Sequence, residues 1–207
     1  LPFIFDNLYN AKYKDVAIEA LVNYGEICFP NLESIFYNTE QNLDVKIEIV
    51  HIYGKVGGEK AEELLWSKVD FPDKKVVAQV FIALSHCGYK AKEDQVQRIK
   101  QAIEEDIISI ITNLKAIEKL TTSGKEDFIE IIKSLKEEND HNYTHIYMLL
   151  SMIYDQKSIQ LVKENIESNT NEGISYAIEL LDVFLSEDLK QKIIPVLDDT
   201  SDLDKIR

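Results

Sequence analysis

The chain has 207 residues, 45% of them hydrophobic and 29% charged, and its 37 acidic against 23 basic side chains leave a net charge of −14. That balance, with Arg only at Arg98 and Arg207, argues against nucleic acid, whose phosphates need clustered Lys and Arg, and against anionic membrane surfaces, which attract polybasic segments. No apolar run approaches the roughly eighteen residues of a membrane span, and 7 Gly with 4 Pro leave few breaks between many charges, which points to helices.

The chain opens on Leu1-Pro2-Phe3, with neither Met nor a charged-then-apolar leader, and reads as a fragment of a longer protein rather than as a native or secretory N-terminus. The segment Asp15 to Gly25 is then echoed by Asp44 to Gly54, every position shifted by 29. A looser copy follows from Lys75 to Gly88, with Val76, Val80 and Leu84 lying 31 after Val45, Ile49 and Tyr53. Between these copies, Leu32, Ile35 and Phe36 form one apolar stripe. Ala61, Leu64 and Leu65 form its counterpart 29 residues on, at the i, i+3, i+4 spacing of a helix face. A fixed period of this length marks a repeat array, in which each helical pair buries its apolar face against its neighbours. The regular repeats run over 1–92, each with a short helix, a turn and a longer helix. Asp70-Phe71-Pro72-Asp73 has the residues of a helix start, and Gly54, Gly57, Gly58 and Gly88 mark helix ends. Gly54-Lys55-Val56-Gly57-Gly58 is a turn and not a phosphate loop, because it lacks a preceding strand and a Lys-Ser/Thr ending.

The pattern is irregular over 93–140. Val96, Ile99, Ile103, Ile107, Ile110, Ile111, Leu114 and Ile117 track one face of either a single long helix or two with a kink near Glu104 to Asp106. Thr122-Ser123-Gly124 should break it. A helix over Glu126 to Lys136, carrying Phe128, Ile131, Ile132 and Leu135, should come next. Asp140 or Asn142 then caps a following helix. Over 141–207 the period returns: Ile146, Leu149, Leu150 and Ile153 recur as Ala177, Leu180, Leu181 and Phe184, an offset of 31. Shorter helices follow near Ser158 to Ile166 and Leu189 to Leu197, and the chain stops at Asp204-Lys205-Ile206-Arg207 as though another element should begin. Both ends look apolar, through Phe3, Ile4 and Phe5 and through Ile194, Val196 and Leu197, which suggests missing neighbours or self-association.

Chemistry-bearing groups are sparse. Cys28 and Cys87 sit a whole repeat apart, at about 8 to 10 Å per helix layer, beyond the roughly 7 Å that a disulfide spans. They read as free thiols of a reducing compartment. His141 and His145, at i and i+4 beside Asp140, have the spacing of a metal pair but lack the Glu of the zinc protease pattern. His86-Cys87 at a helix end has no evident base or oxyanion site. Trp66, Tyr37, Tyr53 and Tyr89 fall at repeat-matched positions, where aromatics usually pack between repeats. No catalytic residue, metal or cofactor is expected.

Asp15, Ala20, Leu21 and Gly25, repeated from Asp44, resemble the second helix of HEAT repeats of the compact bacterial kind, although Ala17 and Lys46 stand where the family carries Arg. The stretches Gly58 to Lys75 and Ile178 to Asp199 resemble the HEAT region that follows an ATP/ADP-translocase-like membrane domain in some bacterial proteins, which can carry a cyclic-nucleotide-binding-like domain further on. The resemblance implies one all-α domain over 1–207, an α-solenoid of about six antiparallel helix pairs with a right-handed superhelical curve. It also implies a cytoplasmic location, tethered to the inner membrane through the full-length protein. In HEAT geometry the Asp-initiated helices line the concave face, which places Glu19, Glu48, Gln79, Met148 and Glu179 in one column, with Glu62, Glu63 and Asp182 nearby. The expected function is a noncatalytic interaction or regulatory module whose acidic column receives a basic helix or peptide. The alternatives are a spacer between domains, or an enzyme on a HEAT-like scaffold such as a DNA glycosylase or bilin lyase.

Overall fold

The computed structural model describes residues 2–10, 12–38, 42–122, 128–168 and 170–197, and among these the chain is helical with no strand. It divides into two compact units, Leu1–Tyr89 and Lys90–Arg207, at a boundary close to where the early period lapses in the sequence.

In the first unit, α1 (Pro2–Asp6) runs through a 3-10 turn into α2 (Lys14–Tyr24), and a second 3-10 turn leads to α3 (Phe29–Phe36). There follow α4 (Leu43–Val56), α5 (Glu59–Trp66) and α6 (Lys74–His86). The expected alternation holds, since α3 and α5 have 8 residues each and α4 and α6 have 14 and 13. The starts of α4 and α6 are fixed by side-chain caps. Asn42 accepts from the Asp44 amide at 3.2 Å, and Asp73 from the Lys75 and Val76 amides at 2.9 and 3.2 Å. Gly57 and Gly58, with φ of 67° and 86°, turn α4 into α5 through a conformation that other residues rarely adopt.

Gly54 does not end its helix. It lies inside α4, where an added Cβ would stand 2.8 Å from Ala83 Cβ on α6, so this glycine marks a close helix crossing. The core beside it is formed by Val45, Ile49 and Tyr53 of α4, Leu32 and Phe36 of α3, and Val76, Val80 and Leu84 of α6, all buried. Each such side chain contributes roughly 1.5–3 kcal/mol on burial. Tyr53 meets Phe29 edge-on, with ring centroids 4.9 Å apart. Trp66 stacks on Tyr89 at 5.7 Å, with the ring planes 23° apart. Cys28 and Cys87 are free thiols, and burial raises the pKa of both.

In the second unit a 3-10 turn at Glu93–Gln95 leads to α7 (Val96–Thr122), followed by α8 (Ile129–Ile153), α9 (Gln156–Glu167), α10 (Asn171–Phe184) and α11 (Glu187–Leu197). Of the two alternatives for the irregular stretch, the single unbroken helix is found. Ile99, Ile103, Ile107, Ile110, Leu114 and Ile117 of α7 are buried along one face. Ser123, Gly124 and Glu126, expected to break and restart the chain, lie outside the described residues, as do Leu1 and Asp204 to Arg207.

No helix begins at Asp140 or Asn142. Both lie inside α8, because the polar residues that resemble a break are what hold α8 against α7. Asn113 donates to Asn139 at 3.0 Å, Asn142 donates to Ser109 at 3.2 Å, and His145 Nδ1 lies 2.6 Å from Asp106. One partner number rises as the other falls, so α7 and α8 are antiparallel. Asp155 and Thr170 cap α9 and α10 through the Ser158 and Gly173 amides, at 2.9 and 3.1 Å. Lys100 binds Asp188 at 2.9 Å and Lys192 binds Glu104 at 2.5 Å, tying α11 to α7. Of the apolar C-terminal trio, Val196 and Leu197 are buried and Ile194 is half-buried. Among the described residues, no helix is long and apolar enough to cross a membrane.

Candidate functional site

Helices α2, α4 and α6 carry repeat-matched positions side by side, and their outer rows enclose an open groove of about 850 Å³ in the first unit. Glu19 of α2, Glu48 of α4 and Gln79 of α6 all line it, as do Asp15 and His51. Glu19 and Asp15 are exposed and free to meet a cation. Glu48 is half-buried and already engaged. It accepts from Lys14 Nζ at 2.6 Å and lies 3.6 Å from His51 Nδ1, and this carboxylate holds the Lys14 ammonium above its ordinary pKa. With Lys55 also in the lining, the groove is acidic at its α2 edge and nearly neutral at its α4 edge.

Three of the five expected column residues thus converge in one unit. Met148 and Glu179 belong to the second unit, on α8 and α10, where Met148 is half-buried and Glu179 exposed. Of the supporting acids, Glu62 and Glu63 stand on α5 and do not line the groove, and Asp182 is held by Lys190 at 3.1 Å. The histidine pair separates in role, since His141 is exposed while His145 is bound to Asp106. Among the described residues, no group of three or more His, Cys, Asp or Glu could hold a metal.

Two lysines are buried, which their sequence context does not announce. Lys68 has a fully buried side chain, 2.6 Å from Glu33, and it donates to the Leu64 carbonyl at 3.0 Å. Its ammonium lies over the rings of Phe36, Tyr37 and Tyr53 at 4.9, 5.3 and 5.4 Å. The Tyr53 hydroxyl donates to the same Glu33 at 2.7 Å. Burial lowers the pKa of Lys68 against the opposing pull of Glu33, and burial first, then Glu33, raises that of Tyr53. Lys46 lies over the rings of Phe36 and Phe71 and donates to the Phe36 and Asn38 carbonyls just past α3. In sequence, Lys46 is visible as the cation standing where HEAT repeats carry Arg, but nothing there marks it as buried. Lys68 sits on no periodic position and carries no such mark. Both ammonium groups bind carbonyls at or just past helix C-termini and act there as internal clamps, where exposed carbonyls favour a cation.

No family model matches the chain, and neither a curated protein nor a solved structure is significantly similar to it.

Proposed function

We propose that the chain is a noncatalytic interaction module of HEAT-like helical pairs, about six in number, whose acidic groove receives a Lys- or Arg-rich helix or extended peptide. This reading rests on the convergence of Glu19, Glu48 and Gln79, with Asp15, along one open groove. The pairing of short with long helices, α3 with α4 and α5 with α6, supports the repeat architecture.

The test is fluorescence anisotropy of a labelled basic peptide and of its Glu-for-Lys counterpart, each at low and high salt. The basic peptide should bind, and binding should weaken as salt screens the exposed charges. Reversing the exposed Asp15 and Glu19 to Lys should lower affinity roughly two- to thirtyfold, given about 0.2–1 kcal/mol for each exposed ion pair, with the helical circular dichroism signal unchanged. Equal binding of the two peptides, or affinity untouched by the reversal, would sink this reading and leave a spacer role.

A further inference from the structure

Glu48 stands between Glu19 and Gln79 in the groove, yet its charge is already answered from within the chain. Lys14, the first residue of α2, reaches across to α4 and places Nζ 2.6 Å from Glu48 Oε1. The other oxygen, Oε2, lies 3.6 Å from His51 Nδ1, beyond hydrogen-bond length. The first turn of a helix is a poor place for a cation, because its amides carry partial positive charge. Lys14 overcomes this through Glu48 first and, more weakly, through Asp15 and Asp44, which hold its ammonium above its ordinary pKa.

The repeat register shows that the pair is particular to this junction. Leu43 lies 29 after Lys14, and Gln79 lies 31 after Glu48. Between α4 and α6, therefore, both members of the matching pair are uncharged. The side chains of Lys14 and Glu48 keep 37 and 18% of their surface exposed, so the contact faces solvent at the groove and opens without disturbing the core.

We propose that Lys14 is a built-in competitor for Glu48, and that this carboxylate consequently selects an Arg of the partner over a Lys. The inference rests on the acidic groove as the binding site. A partner ammonium arriving at Glu48 only replaces one ammonium with another and gains nothing. A guanidinium forks across both carboxylate oxygens, a geometry that a point charge does not supply. The released Lys14 ammonium is left partly solvated beside Asp15 and Asp44, so its displacement strands no buried charge. Asp15 and Glu19, exposed at the α2 edge, take either cation.

The test is fluorescence anisotropy of the full chain with two labelled peptides that differ only in carrying Arg or Lys at every basic position, at one fixed salt concentration. The Arg peptide should bind about two- to fivefold tighter, the usual contribution of one part-exposed ion pair. Glu48→Gln should remove that difference. Lys14→Met should strengthen binding of the Lys peptide by a similar factor. Once Glu48 is replaced by Gln, the gain should be no larger than that from Lys55→Met, which reports the bare loss of one positive charge from the lining. Nitrogen NMR of the unaltered chain reads the displacement without a variant, since the Lys14 Nζ signal should move to that of a solvated ammonium as the Arg peptide saturates. Binding by neither peptide removes the groove reading and this inference with it. Equal binding of both peptides, or a Lys14 signal that stays put at saturation, overturns this inference alone.

Discussion

Lys68 and Glu33 form a buried charge pair whose members depend on each other. Removing one partner of a fully buried pair costs about 3–5 kcal/mol. Glu33 keeps 24% of its side chain exposed, so Lys68→Met should cost less, about 1–3 kcal/mol by chemical denaturation. Adding Glu33→Gln should recover part of that loss, because the second change removes the stranded carboxylate. Asp188 carries the clearest pH dependence. Hydrogen bonds from the Ser186 hydroxyl first and then from Lys100 lower its pKa from 3.8 to about 2. The folded pKa is the depressed one, so the stabilisation is complete above about 4 and disappears as pH falls towards 2. Asp188→Asn should flatten that part of the acid unfolding profile, as followed by circular dichroism.

Helix boundaries in the first unit were readable wherever a single residue type decides them. Asp73 and the pair Gly57 and Gly58 act as their chemistry predicts. Gly54 looked like the same kind of stop, yet it serves the approach of α6. The proximity of Ala83 is a tertiary fact that spacing along one chain does not carry. Gly54→Ala should therefore destabilise by up to about 2 kcal/mol in thermal denaturation, since overpacking at about 1–3 kcal/mol is offset by roughly 1 kcal/mol of helix propensity gained. The stretch from Asn139 to His145 failed for a related reason. Six polar residues in seven read as a surface break, but in α8 they alternate between solvent and α7, where Asn113, Ser109 and Asp106 wait at matching turns. The apolar face of α7 had no such ambiguity, because its Ile and Leu residues follow helical spacing without interruption. At the candidate groove, the repeat register places Glu19, Glu48 and Gln79 on neighbouring helices, and all three line it. The engagement of Glu48 by Lys14 was hidden, because those residues are 34 apart and on different helices.

At the scale of the whole chain, internal ion pairs leave the excess of acid as the composition gives it, since each removes one charge of either sign. Lys14, Lys46, Lys68, Lys90, Lys100, Lys190 and Lys192 are all bound to carboxylates or carbonyls within their own units. The net charge of −14 therefore stands, and it favours cationic ligands over anionic ones. Each unit also closes its own core, the first around Ile49, Tyr53 and Leu84 and the second around Ile103, Leu150 and Leu181. Urea unfolding followed by circular dichroism should accordingly fit two transitions better than one.

The stacked pair of Trp66 and Tyr89 bears on how those transitions can be told apart. Trp66 is the only tryptophan in the chain, and both rings lie in the first unit. The protein thus carries a spectroscopic label on one half alone. Emission excited at the indole band reports the melting of the first unit and is silent to the second, whereas the far-ultraviolet helix signal sums both. Any denaturant interval in which one signal has changed and the other has not measures the difference in stability between the units, without a mutation or an added dye.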